Sequence, residues 1–395
     1  MSNNPMPNYA GAYQPTVIIR PSGNRRAIKW VLGIFALLFA MLLGLLVLLL
    51  IAAETGPVAL LAGMIFAMLP VPIYIMLILW IDRYESEPLW MLATAFIWGA
   101  TVAVFAAYLL NTIGEVFVLA ATRDLGIARF YGAVVSAPIV EESSKAFVLF
   151  ILFFWKKDEF DGIVDGIVYA GMVGLGFAMT ENFQYYGRAA LQSGIGGAEF
   201  NITYLIRGAL APFSHPLFTS MTGIGLGWAR QSNNKAVKFI VPVIGFGLAI
   251  LMHASWNFLA SISASLLQFL VLYFVFMVPV FTATLVVIFF ALRREGRVVR
   301  EHLLGDFQRG LLTQEEYNRL CTVRGRIGAS FRALTRGGFG VWRARMQFNQ
   351  MASELAFHRS RVARGLHDSG EQSAAEREAA YVQLLQDLRQ RLGSH

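Results

Sequence analysis

Glu141 and Glu142 stand side by side in an otherwise uncharged stretch from Tyr131 to Trp155, with Lys145 one helical turn after Glu141. Carboxylates set among apolar residues either pair, hold a cation, or take a proton from a weak nucleophile such as water. Three more polar groups interrupt three other apolar stretches: Glu181, His215 and His253. Imidazoles and a glutamate from separate segments can ligate a metal or polarise a carbonyl. Two of these groups have a companion on the same helical face. Glu141 precedes Lys145 at i, i+4, the favourable order for an ion pair, and His253 precedes Asn257 at the same spacing.

The elements that must position these groups are membrane helices. The chain has 395 residues, 56% of them hydrophobic and only 15% charged; a soluble domain carries roughly 25% charged residues. An all-α, polytopic bundle of about eight transmembrane helices follows, with spans at Trp30–Ala53, Pro57–Ile81, Leu89–Leu119, Tyr131–Trp155, Gly162–Tyr185, Thr203–Ala229, Ala236–Ala260 and Ser265–Leu292. Each is near or above the roughly 20 residues needed to cross a bilayer. The first exceeds the apolar core of a cleaved signal and reads as a retained helix. Residues 1–29 read as a disordered N-terminus, 30–292 as the membrane domain, and 293–395 as a helical, Arg-rich cytoplasmic tail. Within the tail, Leu304–Leu320 resembles a short SHOCT-type helical module, with Thr313 capping a helix and Glu316 closing a capping box. An amphipathic tail lying on the inner leaflet is the other reading of this region.

The basic residues that cluster at the ends of the spans fall on the same face under an eight-span count. Arg25, Arg26 and Lys29 lie before the first span, Lys156 and Lys157 after the fourth, Arg230, Lys235 and Lys238 after the sixth, and Arg293, Arg294 and Arg297 after the last. That face is expected to be cytoplasmic, with both termini on it, in a multi-pass protein of the cell membrane. The Asp82–Pro88 loop, with more acid than base, also falls there. The net charge of +8 suits anionic lipid rather than nucleic acid, since no basic stripe is interleaved with aromatics. The lone Cys321 excludes an intrachain disulfide and a CxxC metal site.

Helical rise converts sequence position into depth. Glu141 comes out roughly 15 Å, His215 roughly 18 Å and His253 roughly 10–15 Å from the outer ends of their helices, with Glu181 shallower. Small residues at four-residue steps surround them: Ala133 and Ala137, Gly162 to Ala178, Thr219 to Gly227, and Gly245 with Ala249. That spacing lets helix backbones approach closely. Pro138, Pro212 and Pro216 free carbonyls beside Glu141 and His215, which is tolerable where protein or water satisfies them.

Glu141-Glu142-Ser-Ser-Lys145, Phe177-x-x-x-Glu181-Asn182, His215 and His253-x-x-x-Asn257, in this order on four spans, resemble the PrsW family of intramembrane proteases. They are more distantly similar to the CAAX prenyl endopeptidase and bacteriocin-processing group, from which Lys145 and Glu181-Asn182 depart. The resemblance covers about Trp80 to Ala260. It implies hydrolysis of peptide bonds in membrane-anchored regulatory proteins such as anti-sigma factors. On the residues themselves, Glu141 is assigned as the base that activates water, with Glu142 orienting it or contacting a metal. His215 and His253 either hold zinc or polarise the scissile carbonyl, Asn257 donates to the developing oxyanion, and Glu181 is a third zinc ligand. A metal-free carboxylate–histidine site would use the same side chains. Arg207 and Asp165 read as interfacial. A proton-coupled transporter, or a non-catalytic membrane scaffold, is the alternative function; the absence of an internal repeat weighs against the transporter.

Overall fold

The computed structural model describes residues 23–157, 159–365 and 373–393. The chain falls into two units, residues 1–39 and 40–395; the described part of the first is helical. The expected disorder of residues 1–22 lies outside the described residues, whereas 23–29 already belong to helix α1, Gly23–Thr55.

All regular structure among the described residues is helical. After α1 come α2 (Pro57–Met68), α3 (Val71–Ile81), α4 (Leu89–Ile97), α5 (Val104–Thr122), α6 (Leu125–Tyr131), α7 (Ala137–Trp155) and α8 (Ile163–Ser193). Then follow α9 (Ala198–Tyr204), α10 (Ser214–Gln231), α11 (Lys235–Ile262), α12 (Leu266–Gln308), α13 (Gln314–Leu320), α14 (Val323–Ala363) and α15 (Ala374–Gly393). Among the described residues, six continuous helical stretches are long and apolar enough to cross a bilayer: Val31–Thr55, Pro57–Ile81, Leu89–Thr122, Ile163–Ser193, Lys235–Ile262 and Leu266–Gln308. The two further spans expected from the sequence correspond to α7, which carries three charged residues in Glu141, Glu142 and Lys145, and to α10, which is short and rich in small and polar residues. The expected span Thr203–Ala229 is also not one helix. It breaks at Ala211, which leaves the helical region just before Pro212, as the residue ahead of a proline tends to do. His215 therefore sits in the first turn of α10 rather than mid-helix. At the other boundary, α12 runs through Leu292 without interruption, so membrane helix and tail share one rod.

Helix α8 is the central mast, buried along most of its length. It meets α10 backbone to backbone: a Cβ on Gly166 would lie 2.1 Å from the Gly223 carbonyl oxygen, and one on Gly223 2.0 Å from that of Gly166. Farther along the same seam, Gly174 abuts the backbone of Pro216. α10 in turn meets α11 where a Cβ on Gly245 would lie 2.4 Å from the Met221 carbonyl oxygen. Small-residue steps in the sequence thus become contact seams that set the spacing of three helices.

Three π-helical segments, Trp98–Ala103, Gly132–Ser136 and Leu205–Leu210, lie next to these seams. Side chains answer carbonyls in each: Thr180 donates to Ala100 at 2.9 Å, Asn257 to Ala133 at 2.8 Å, and Tyr74 and Tyr273 to Gly208 and Leu210, both at 2.5 Å. Lipid offers no such donors, so protein groups must supply them.

The tail folds back on one end of the bundle. Arg361 pairs with Glu85 of the acidic 82–88 loop, Arg364 donates to Asp161, and Arg326 lies over the Tyr84 ring. The surplus acid of that loop is thus answered from the tail. The expected capping box is formed: Glu316 N–H donates to Thr313 Oγ1 at 3.1 Å, and Thr313 N–H to the Glu316 carboxylate at 2.8 Å. Arg230 donates to the Phe160 carbonyl, so the ends of α7, α8 and α10 gather at this same end of the bundle. Asp165 sits there too, accepting from the N–H groups of Asp161 and Gly162 at the start of α8.

A Gly223→Ala substitution is expected to cost roughly 1–3 kcal/mol of stability, because neither backbone can retreat without moving a whole helix. Gly247, with nothing within 4 Å of its would-be Cβ, is the internal control. Thermal unfolding of the two alanine variants in detergent checks this, and equal melting temperatures would contradict it.

Candidate active site

The polar groups from four helices meet. Measured at ~1.5 Å per residue, Glu141, Glu181, His215 and His253 lie roughly 21–27 Å from the tail-side ends of α7, α8, α10 and α11. All four are at least largely buried; Glu142 and Lys145 are completely so.

Lys145 is the hub. Its Nζ lies 2.9 Å from Glu142 Oε1, 3.5 Å from Glu141 Oε2 and 3.0 Å from His215 Nδ1, with the Phe177 ring face 3.8 Å away. Glu142 spends its remaining capacity on two neighbours. Its Oε1 is 3.0 Å from His253 Nδ1, and its Oε2 accepts from Thr219 Oγ1 at 2.9 Å. Glu181 Oε2 is 2.9 Å from His215 Nε2 and also pairs with Arg207, whose Nε donates to Asn182 Oδ1 at 2.5 Å. Each imidazole thus has one ring nitrogen facing a carboxylate, an arrangement that fixes ring orientation and directs the other nitrogen. For His253 the other nitrogen is Nε2, 3.8 Å from Glu141 Oε2; for His215 it is Nδ1, 4.0 Å from the same oxygen. The two rings meet edge to face, 5.1 Å apart between centroids.

Glu141 is the least committed carboxylate of the cluster. With Glu181 it forms part of the wall of a cavity of about 340 Å³ whose rim carries Glu115, Arg129 and Arg188. A water molecule or a short extended peptide fits such a space. Ligand atoms of Glu141, His215 and His253 all lie within 4.8 Å of one another. That donor set, two imidazoles and a carboxylate, matches catalytic zinc, and the Glu142 and Glu181 carboxylates behind the rings supply its usual outer support.

The expected residues Glu141, Glu142, Lys145, Glu181, His215 and His253 are therefore brought together, with two shifts of position. The trio whose ligand atoms converge contains Glu141 in place of Glu181, because Arg207 and His215 occupy the Glu181 carboxylate. Asn257, expected to face an oxyanion, spends its amide on the Ala133 carbonyl instead. Arg207 is part of the network rather than an interfacial bystander. Thr219, one turn after His215 on the same face, joins the cluster through Glu142, a role that its place in a row of small residues does not signal.

A family model described as PrsW family intramembrane metalloprotease matches residues 87–284, half of the chain and all of the cluster. The chain belongs to the PrsW family. It is 29% identical over 197 residues to Protease PrsW of Bacillus subtilis, covering 50% of this chain and 81% of that one. Identity to Protease PrsW of Oceanobacillus iheyensis is 31% over 174 residues, 44% of this chain and 72% of the relative. For Protease PrsW of Geobacillus kaustophilus it is 32% over 181 residues, 45% and 70% respectively. No solved structure matches. This PrsW-family chain is accordingly a multi-pass membrane protein and an intramembrane protease, and the transporter and scaffold readings are not favoured.

Lys145→Met is expected to destabilise the protein by roughly 3–5 kcal/mol, since it leaves two buried carboxylates without their cation. Asn257→Ala removes one hydrogen bond to a carbonyl and should cost about 1 kcal/mol. Unfolding of both variants in detergent would show the opposite order if Lys145 were merely one contact among many.

Proposed function

We propose that Glu141 activates the water that cleaves a peptide bond of a membrane-anchored regulatory protein, an anti-sigma-factor-like substrate being the type case. What supports this most is the placement of Glu141: it alone of the Glu141, His215 and His253 trio lines the cavity, in a chain of the PrsW family. Attack on an amide needs a group to take the proton of water and return one to the departing amine, and a carboxylate at the cavity wall serves both steps. Glu142 and Thr219 hold His253, and Glu181 and Arg207 hold His215, so neither ring has to reorganise as charge develops.

His215 and His253 are the residues that would hold zinc, with one carboxylate oxygen of Glu141 completing the donor set and the other left to carry the proton. Bound there, zinc supplies Lewis acidity that polarises a carbonyl and acidifies water. Lys145 now faces His215 Nδ1, so it competes with any cation for that lone pair. The tail-side end of the bundle gathers Lys156, Lys157, Arg230, Arg293 and Arg294, which favours the cytoplasm for that end and for both termini. The cavity then lies in the extracytoplasmic half, and cuts fall near that side.

Glu141→Gln should lower cleavage of a co-expressed single-span substrate by at least ~10²-fold while leaving insertion intact. Comparing membrane proteomes of cells carrying wild-type and Glu141→Gln protein identifies substrates as truncated single-span proteins; undiminished truncation in the variant removes Glu141 from this role. Elemental analysis of detergent-purified protein is expected to find about one zinc per chain, lost in His253→Ala. Zinc-free protein whose cleavage resists chelators would leave the carboxylate and imidazoles to act alone.

A further inference from the structure

At the opposite end from the cavity, a groove of about 840 Å³ lies between the last turn of α3 and the first half of α14. Its volume is within the roughly 300–1,000 Å³ of sites that take small molecules. Met76, Leu79 and Trp80 form one wall, and Ile327, Phe331 and Leu334 the other. Trp80 is 47% exposed at the end of a span-length apolar stretch, Pro57–Ile81, where hydrocarbon gives way to headgroups. Phe331 is 64% exposed and faces the groove from the tail. Apolar side chains thus line both sides of a groove that opens at the end of this span-length stretch.

The groove also holds cationic groups in want of an anion. Arg83 stacks on Trp80 at 4.0 Å and donates from Nε to the Trp80 carbonyl, yet its buried Nη1 has no hydrogen-bond partner among the described residues. A buried donor without an acceptor is costly, and an acceptor from outside the chain relieves that cost. Arg343 lines the same groove and is exposed, and Arg332 and Arg336 are exposed near the Gly338 turn that folds α14. Arg326 is already committed to the Leu320 carbonyl and the Ser353 hydroxyl. Asp82 also lines the groove, but burial holds its carboxyl well above the ordinary range, so it is a poor source of repulsion for an anion.

We propose that this groove binds an anionic phospholipid of the adjoining leaflet, its phosphate taken by the Arg83 guanidinium and Arg343 and an acyl chain laid between the α3 end and the apolar face of α14. Free phosphate would satisfy the arginines but leave both apolar walls bare. A zwitterionic lipid would fill the walls but bring its own cation to the arginines. An anionic lipid meets both demands, and it would fasten the tail to the membrane helices where Arg326 already joins them.

Native mass spectrometry of the full-length protein in detergent tests this, with phosphatidylglycerol and phosphatidylcholine offered at equal concentration. Wild-type protein should retain phosphatidylglycerol preferentially, and Arg343→Gln should reduce that preference about fivefold, the worth of one arginine near a lipid headgroup. Arg83→Gln should do the same. Phe331→Ser, at an exposed position that does not endanger folding, should lower retention of both lipids. Equal retention of the two lipids by wild-type protein would overturn the proposal, as would an unchanged preference in Arg343→Gln. Full displacement of phosphatidylglycerol by millimolar inorganic phosphate would also overturn it, marking a free-phosphate site.

Discussion

Two backbones touch where α8 crosses α10, and the active site exists because nothing separates them there. Gly166 and Gly223 each point an empty Cβ position at the other's carbonyl, and Gly174 does the same against Pro216. In lipid, helix association gains little from the hydrophobic effect, so close van der Waals contact must supply the affinity. The seam fixes α10 against α8 closely enough for His215 to reach Glu181. The Gly245 contact on the far side of α10 then sets α11, and with it His253. A displacement of one ångström at either seam would part groups now at hydrogen-bonding distance.

What those seams assemble is electrostatically demanding. Each ion taken out of water costs several kcal/mol unless it is paired and hydrogen-bonded. Lys145 answers two carboxylates at once, Thr219 completes Glu142, and Arg207 completes Glu181. The result is a division of labour between neighbours in sequence. Glu142, saturated with partners, is a support for His253; Glu141, one residue earlier, is left facing open space. Adjacent residues on a helix point about 100° apart, so a Glu-Glu pair naturally places one carboxylate among packed helices and the other at a cavity.

The sequence made the helices legible, and with them the order of the polar groups and the small-residue seams. These depend on local composition and on periodicity within one helix. What it could not carry was partnership across helices. Arg207 reads as interfacial until α9 and the π-helical segment after it turn its side chain toward Glu181. Asn257 shares a face with His253 and so reads, in sequence, as a second donor for the site. The π-helical segment at Gly132–Ser136 exposes the Ala133 carbonyl, and the amide goes there instead. Neither the π-helical segments nor the break at Pro212 leaves a clear mark on hydropathy, and the break is why His215 begins a helix rather than crossing the membrane within one. The outer arrangement of the tail on the 82–88 loop was equally hidden, though the loop's surplus of acid was a sign that a cation would be found for it.

One consequence follows from the ion-pair network. Glu141 and Glu142 share the single ammonium of Lys145, while Arg207 answers Glu181 from the other side. A cation arriving between Glu141 and the two imidazoles would therefore meet a carboxylate only half answered, where the medium screens charge poorly. Arg207 sets how much pull Glu181 can add, from behind it and outside the cavity lining.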